Sequence, residues 1–285
     1  MTEQTKVIQI NLRQIVRERL GRYSRLVPGF VLRYLEKTVC QDRLNELLRN
    51  NFPREGAEFC EGVLADLDVG LTVVGEDKLP SPAQRRVVFV SNHPLGGLDG
   101  MALIAWATRR YGGKVHFVVN NLLDAVAPLR SVFVPVNKHG SQSRESIRAI
   151  DKAFAGEDPV LVFPAGLCSR RGSNGEIADL EWQKMFVNKA VEHHRDVVPL
   201  YFSGRNSDFF YNFAKIRKQL GLKFNIEMIY LPSEIFRARG SRFTLVCGDT
   251  IGWQELRSGK AAMEQAAEIR SLVYSLASRL QTTTE

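Results

Sequence analysis

Short apolar segments alternate with segments of helical pattern along most of this chain, and this alternation limits the folds that it can adopt. From about residue 70, runs such as 87–90 and 160–163 have the length of buried strands. Segments such as 99–111 and 182–192, in which apolar residues recur every three or four positions, lie between these runs. The pattern predicts an α/β domain in which helices flank a central sheet that is parallel in its middle. In such a sheet, functional side chains gather where strands end and loops begin.

The first 67 residues differ from the rest because they carry only helical patterns. We predict helices over 7–20, 30–50 and 54–67. The apolar residues that share one face of the first helix are Ile8, Leu12, Ile15, Val16 and Leu20. This basic amphipathic helix is suited to a membrane interface, but it could equally pack on the domain. We therefore predict a helical appendage over 1–67 and an α/β domain over 68–285.

The charge of the chain indicates an anionic partner. The sequence has 39 Lys and Arg against 31 Asp and Glu, a net charge of +8 and a pI near 9.4. The basic residues are dispersed among acidic ones, and no aromatic-and-basic signature of an RNA-binding sheet occurs, so we expect no nucleic-acid partner. An anionic membrane surface and phosphate-bearing substrates are the remaining classes.

The cysteines and the apolar runs indicate a chain with free thiols and no membrane-spanning segment. The four cysteines form no C-x-x-C pair, so we expect a reducing compartment and no metal. The N-terminus has no signal-peptide pattern. The longest apolar run, 101–107, is far shorter than the roughly 20 residues that cross a bilayer, so any membrane contact is expected to be peripheral.

The stretch 87–99 combines a buried strand, a glycine-rich turn and the start of a helix, and it reads V-V-F-V-S-N-H-P-L-G-G-L-D. It places His93 at the end of the strand, where a histidine can act as a general base. Asp99, six positions later, can loop back to hold the second ring nitrogen. Alternatively, Asp99 caps the following helix and His93 is a polar turn residue.

Three further predicted strands also end in polar residues. Lys138 follows one of them and could meet a phosphate, although a solvated loop lysine is commoner. The strand 160–163 breaks at Pro164 and Gly166, in a turn whose N–H groups could face an oxyanion or a phosphate. The other candidate donors at these strand ends are Ser169, Arg170, Arg171, Ser203, Arg205 and Asn206.

Three motifs carry a resemblance to a known family: N-H-P-L-G-G-L-D at 92–99, F-P-A-G-L-C-S-R at 163–170 and V-P at 198–199. They occur in the order and approximate spacing of N-H-x4-D, F-P-E-G-T-R-S and V-P-V in the glycerolipid acyltransferases related to lysophosphatidate acyltransferase. The resemblance covers roughly residues 70–250.

The resemblance implies an acyl transfer without an acyl-enzyme intermediate. His93 would take the proton from an acceptor hydroxyl, Asp99 would orient His93, and the hydroxyl would attack a thioester of acyl carrier protein or coenzyme A. No further cofactor is implied, and the protein is expected at the cytoplasmic face of a bacterial membrane. The residues that we assign to substrate binding are Asn92, Gly96, Gly97, Lys138, Phe163, Pro164, Gly166, Ser169, Arg170, Arg205 and Asn206.

Departures from the family pattern bear on the acceptor. Five residues rather than four separate His93 from Asp99, Ala165 replaces the glutamate of F-P-E-G, and the arginine of the family's G/I-F-x-x-R block is matched at best by Lys138. The form of the motifs is most similar to a bacterial haemolysin-like branch that includes enzymes acylating lyso-ornithine or lyso-glycine lipids. We therefore favour a lyso-aminolipid acceptor over lysophosphatidate.

Other functions are compatible with the same residues. The His93–Asp99 pair could activate water, which would make the protein an acyl-thioesterase. Cys168 lies beside Arg170 and Arg171, a setting that could lower a thiol pKa and create a nucleophile. A membrane- or nucleic-acid-binding module without catalysis is the alternative from another class.

Overall fold

A mixed β-sheet forms the centre of the protein in the computed structural model, which describes residues 9–120, 126–136, 144–222 and 224–283. The strands are β1 (Gly70–Val74), β2 (Val87–Ser91), β3 (His116–Asn120), β4 (Phe133–Val136), β5 (Val160–Val162), β6 (Arg170–Arg171), β7 (Ile177–Ala178), β8 (Asp196–Phe202) and β9 (Arg242–Cys247). The helices are α1 (Leu12–Leu20), α2 (Gly29–Thr38), α3 (Gln41–Asn50), α4 (Gly56–Asp66), α5 (Leu98–Tyr111), α6 (Arg144–Ala155), α7 (Met185–Glu192), α8 (Asp208–Gln219), α9 (Leu231–Arg237) and α10 (Ala262–Ser275). Shorter 3₁₀ segments are Gly21–Leu26, Glu76–Lys78, Ala127–Leu129, Ile226–Tyr230, Trp253–Glu255 and Leu276–Thr283.

The sheet is parallel in its middle, as the alternation predicts. Within the described residues its strand order is β1-β9-β8-β2-β5-β3-β4, and the five strands from β8 to β4 are parallel. Strand β9 runs antiparallel to β8, while β6 and β7 form a separate hairpin. Val88 of β2 pairs with Val160 and Val197, so β2, β5 and β8 end at the same edge of the sheet. The predicted α/β class is confirmed.

Alternating side chains of the central strands fill two apolar layers. Phe89 belongs to the layer beneath α4 and α5, whereas Val88 and Val90 belong to the layer beneath α6, α7 and α10. These residues lie on a strand that is buried on both faces, which explains its continuous apolar sequence. Each large side chain buried in this way contributes about 2 kcal/mol.

The N-terminal helices differ in detail from the prediction. The expected single helix over 30–50 is wrong, because Cys40 has a left-handed φ of 51° and separates α2 from α3. The turn directs leucines of α3 toward the main apolar layer while Phe30 and Tyr34 of α2 stay exposed. Helix α4 begins at Gly56 rather than Arg54 and packs Phe59 into the core against α5. The boundary at residue 67 stays a prediction.

Two other expectations concern less regular segments. The ambiguous stretch 225–236 is a 3₁₀ turn followed by α9, with Pro232 in the first turn of the helix, where a missing N–H costs little. The short helix expected near 122–126 lies almost entirely outside the described residues. Within the part of the chain that the structure covers, no helix is both long and apolar enough to cross a bilayer.

A fully buried arginine holds the sheet edge opposite to the strand ends that carry the motifs. Arg195 precedes β8, and among the described residues its guanidinium donates to main-chain carbonyls only. The acceptors are the oxygens of Val87, Ala153, Phe154, Gly156 and Asp158, at 2.5–3.3 Å. Burial lowers the pKa of Arg195 to about 10, so the group is still charged at neutral pH.

Replacing this arginine should therefore test stability separately from function. We expect Arg195→Leu to lower the free energy of unfolding by about 3 kcal/mol, because it leaves buried carbonyls without donors. Urea denaturation followed by circular dichroism measures the change. The exposed Arg148, which lies on α6, provides the control Arg148→Leu, for which we expect a change within about 0.5 kcal/mol. Equal effects of the two substitutions would contradict this role.

Candidate active site at the strand ends

The loop between β2 and α5 is organised around the carboxylate of Asp99. His93 Nδ1 lies 2.9 Å from Asp99 Oδ2, and Asp99 is fully buried. The same carboxylate accepts the main-chain N–H groups of Leu95 at 2.9 Å, Gly97 at 3.1 Å and Gly100 at 2.9 Å. The side chain that holds the imidazole therefore also fixes the conformation of the loop.

The extra residue in this loop is accommodated at Gly96. Its φ of +79° favours glycine, and an added Cβ would lie 2.8 Å from a methyl carbon of Leu231. The backbone can therefore pass close to α9 while Asp99 still reaches His93.

Asp99 is an anion in this environment. Burial opposes its ionisation, but the charge interaction and hydrogen bond with His93 and the N–H donors of Leu95 and Gly100 bring its pKa below the ordinary value. An ionised carboxylate can only accept a hydrogen bond, so Nδ1 of His93 carries a proton. The neutral ring consequently has its basic lone pair on Nε2.

Aromatic contacts fix the plane of the imidazole. The rings of His93 and Phe163 are stacked with centroids 3.9 Å apart and planes 18° from parallel. Phe117 packs edge-on against Phe163 at 5.1 Å. The His93 side chain is 15% exposed, so the ring is held from one side and still reachable. Phe163 therefore acts on His93 directly, a role that differs from its predicted contact with substrate.

The turn after β5 is tied to the His93 loop. Gly166, with a φ of +63°, donates its N–H to Phe163 O at 2.9 Å, and Pro164 O accepts from Gln183 N at 3.0 Å. Ser169 N donates to His93 O at 2.8 Å. The second and first motifs, about 70 residues apart in sequence, are therefore one structural unit.

Asp179 is a residue of this unit that the sequence reasoning missed. Its Oδ1 accepts from His93 N at 3.1 Å and from Ser169 Oγ at 2.6 Å, and its Oδ2 accepts from Trp182 Nε1 at 3.0 Å. Burial raises the pKa of Asp179, although these donors act in the opposite direction. The sequence signal for Asp179 is an aspartate three residues before Trp182, beyond the motif at 163–170. Such a pair is too common to identify a functional residue by itself.

The remaining predicted residues divide into structural and peripheral ones. Asn92 is buried and exchanges two hydrogen bonds with the main chain of Phe202 on β8, at 2.7 and 2.9 Å. Asn206 donates to Pro94 O at 3.2 Å and so supports the His93 loop. Arg205 is exposed and pairs with Asp208, outside this cluster. Lys138 lies outside the described residues.

Two expectations, one for Cys168 as a nucleophile and one for Arg170 as a donor, change in the structure. Cys168 is fully buried, and burial raises the pKa of its thiol to about 11 even though Arg170 acts to lower it. A nucleophilic thiolate at this position is therefore disfavoured. Arg170 does not extend freely from its turn, because it donates to Cys168 O at 2.8 Å and to the buried Glu227 at 2.9 Å.

One cluster elsewhere has the composition of a metal site. Asp151, Glu192 and His193 approach one another on α6 and the end of α7. Lys189 forms ion pairs with Asp151 and Glu192, so an ammonium group of the protein already contacts both carboxylates. This cluster contains none of the residues around His93.

A family model and two relatives agree with the resemblance in the motifs. A family model described as "Acyltransferase" matches residues 14–283. A lyso-glycine lipid O-acyltransferase of Phocaeicola vulgatus is 43% identical over 270 residues, which cover 95% of this chain and 96% of that protein. One of Bacteroides thetaiotaomicron is 42% identical over 267 residues, covering 94% and 97%. The crystal structure of the 1-acyl-sn-glycerophosphate acyltransferase PlsC from Thermotoga maritima matches with a TM-score of 0.44 and 15% identity over 96% of this chain and 98% of that one.

The hydrogen bond from His93 N to Asp179 can be tested by amide hydrogen exchange. Asp179→Ala removes the acceptor of the His93 N–H. We therefore expect the amide hydrogen of His93 to exchange about tenfold faster. Asp179→Asn, which keeps an acceptor oxygen, should restore most of the protection. Hydrogen exchange read by NMR or mass spectrometry measures both. Glu181→Ala, an exposed carboxylate two positions away, is the control, and unchanged protection in Asp179→Ala would refute the role.

Proposed function

Because this chain belongs to the acyltransferase family, we propose that it transfers a fatty acyl group from a thioester to the hydroxyl of a lysolipid, with His93 as the general base. The observation that carries the assignment of the base is the 2.9 Å contact between His93 Nδ1 and the buried carboxylate of Asp99. It lies where β2, β5 and β8 end, the edge at which parallel sheets carry their sites.

The proposed reaction has two steps. Nε2 of His93 takes the proton of the acceptor hydroxyl as its oxygen attacks the thioester carbonyl, and Asp99 stabilises the imidazolium that forms. The tetrahedral intermediate then expels the thiolate, which receives the proton from His93. The products are an ester and a free thiol, and the enzyme carries no acyl group between steps.

A lyso-aminolipid is the acceptor that we favour. The two relatives at 43% and 42% identity are named lyso-glycine lipid O-acyltransferases. Ala165, where the family motif has glutamate, is buried in the apolar layer beneath α7, so no charged side chain stands at this point of the turn. We propose lyso-glycine lipid as the acceptor, with lyso-ornithine lipid as the related aminolipid and lysophosphatidate as the less favoured substrate.

Removing the base should abolish transfer without unfolding the protein. We expect His93→Ala to lower kcat at least about 10³-fold, and Asp99→Asn to lower it about as much because the amide no longer holds the ring in one tautomer. Radiolabelled acyl transfer from acyl-coenzyme A and from acyl carrier protein to lyso-glycine lipid measures this. His116→Ala is a matched control, since His116 also pairs with an aspartate, Asp158 at 3.5 Å, but at the other end of the sheet.

The same assay separates the alternatives. Lysophosphatidate and lyso-ornithine lipid replace lyso-glycine lipid in parallel reactions, and thioester loss is followed with and without acceptor. Thioester loss that does not depend on any acceptor would mean that the protein is a thioesterase. Full activity of His93→Ala would contradict the proposed mechanism for every acceptor.

We further propose that one face of the protein contacts the membrane that holds the acceptor. Leu26, Phe30 and Tyr34 in the N-terminal segments are 76%, 67% and 56% exposed. The hydroxyl of Tyr34 lies 2.7 Å from that of Tyr230, whose ring packs on the exposed Phe209 at 5.0 Å. This apolar surface and the arginines of α1 suit a peripheral position at an anionic bilayer, which we place at the cytoplasmic face.

Polar substitution of this surface should weaken membrane binding. For Leu26→Ser/Phe30→Ser we expect at least about tenfold weaker partitioning into vesicles of phosphatidylglycerol and phosphatidylethanolamine, because two large apolar groups no longer enter the bilayer. Co-sedimentation measures the binding. Ile147→Ser/Leu272→Ser, which changes two exposed apolar residues on α6 and α10, should bind like the parent protein. Equal partitioning of the two double variants would exclude this surface.

A further inference from the structure

A cationic groove lies beside the candidate active site. It has a volume of about 880 Å³ and lies between the β6–β7 hairpin, α8 and Arg270 of α10. The charged residues that line it are Arg170, Arg171, Lys215, Arg217, Lys218 and Arg270, against Glu176 and Asp179. Since the hairpin follows β5 and α8 follows β8, the groove opens at the same sheet edge as His93. Asp179 connects the two, because it lines the groove and accepts the N–H of His93.

Part of this positive charge has no partner within the described part of the chain. Arg170 and Arg217 share the buried Glu227, at 2.9 and 2.8 Å. Lys215 and Lys218, by contrast, are exposed, and their ammonium groups make no hydrogen bond or ion pair with any described residue. The groove therefore has cations to offer to a ligand.

Two buried donors in the groove also lack acceptors. The Nε atoms of Arg171 and Arg270 are shielded from solvent and have no hydrogen-bond partner among the described residues. Buried N–H groups without acceptors are rare, because each costs the lost hydration of the group. Because these nitrogens are shielded from solvent, a ligand in the groove does not reach them, and the cations that it meets are the exposed Lys215 and Lys218.

Helix α8 separates this groove from the exposed apolar surface. Tyr211, Ala214, Lys215 and Lys218 line the groove at helical spacing. Phe209, Ile216 and Leu220 are exposed and fall on the opposite side of the helix. A lipid is suited to the apolar side, while the cationic side suits a soluble molecule with several negative charges.

We propose that the groove binds the phosphate groups of the phosphopantetheine-bearing thioester donor, an inference that rests on the proposed acyl transfer. Both coenzyme A and acyl carrier protein present their thiol on a phosphorylated pantetheine arm. Lys215 and Lys218, together with Arg270, suit such a phosphorylated carrier better than the single carboxylate of a glycine-lipid acceptor. The long pantetheine arm would carry the thioester from the groove toward His93.

Removal of the two unpaired lysines tests this site directly. Calorimetry measures binding of adenosine 3′,5′-bisphosphate and of holo-acyl carrier protein to the full-length protein. We expect Lys215→Ala/Lys218→Ala to weaken binding of the donor-derived probe about tenfold and to reduce its salt dependence. Lys114→Ala/Lys260→Ala removes the same charge from exposed positions outside the groove and should bind like the parent protein.

Kinetics give an independent measurement. In Lys215→Ala/Lys218→Ala we expect the KM for the thioester donor to rise about tenfold while kcat and the KM for the lysolipid stay within about twofold. Binding of the bisphosphate identifies coenzyme A as the source of the phosphate, and binding of the carrier protein alone identifies acyl carrier protein. Either result supports the proposal when Lys215→Ala/Lys218→Ala weakens that binding.

Other outcomes overturn it, or separate it from the proposed function. Equal binding of both probes by the parent protein and Lys215→Ala/Lys218→Ala, or a rise in the KM for lysolipid instead of donor, excludes the groove as the donor site. If the parent protein binds a probe through these lysines but transfers no acyl group to any lysolipid, the proposed acceptor fails and the phosphate site stands.

Discussion

The buried carboxylate of Asp99 is the group on which the candidate site depends, because an imidazole and three main-chain N–H groups converge on it. A carboxylate removed from water stays ionised only if such donors replace its hydration. The consequence is a direct coupling between loop and ring. The group that sets the tautomer of His93 also sets the path of the backbone from Leu95 to Gly100, so a rearranged loop would also misplace the base.

The pKa of a second buried carboxylate, that of Asp179, is shifted in the opposite direction. Asp179 receives its hydrogen bonds from neutral groups, and burial raises its pKa, whereas Asp99 faces the imidazole and has a lowered pKa. Asp99 thus favours the folded state at pH values above its ordinary pKa, and this contribution is lost as the pH falls. Asp179 opposes the folded state once the pH rises above its ordinary pKa. This loss of folding stability falls on a residue that joins the His93 loop to the turn after β5.

The sequence predicted those parts of the site that depend on local patterns. The apolar runs of β2 and β5 and the glycine-rich turn locate His93 and Phe163 at strand ends and Asp99 at the start of α5. The family resemblance carried by the three motifs is confirmed, with a match over residues 14–283. Local patterns do not predict contacts between segments that are distant in the sequence. Asp179 lies 86 positions from His93. Arg205 and Asn206 are adjacent in sequence, yet the structure brings only Asn206 to the His93 loop. The break at Cys40 was missed because its left-handed turn carries no glycine.

The proposed reaction requires two substrates of opposite solubility to meet at one histidine. A lysolipid keeps its chain in the bilayer, and a phosphorylated carrier stays in water, so the enzyme has to present an apolar and a cationic surface close to the same base. Helix α8 provides both surfaces, with Phe209, Ile216 and Leu220 on one side and Lys215 and Lys218 on the other. Since Asp179 lines the cationic groove and also holds the His93 backbone, a ligand in the groove would lie one side chain away from the loop that carries the base. Only the acyl group then has to pass from the aqueous side to the lipid side.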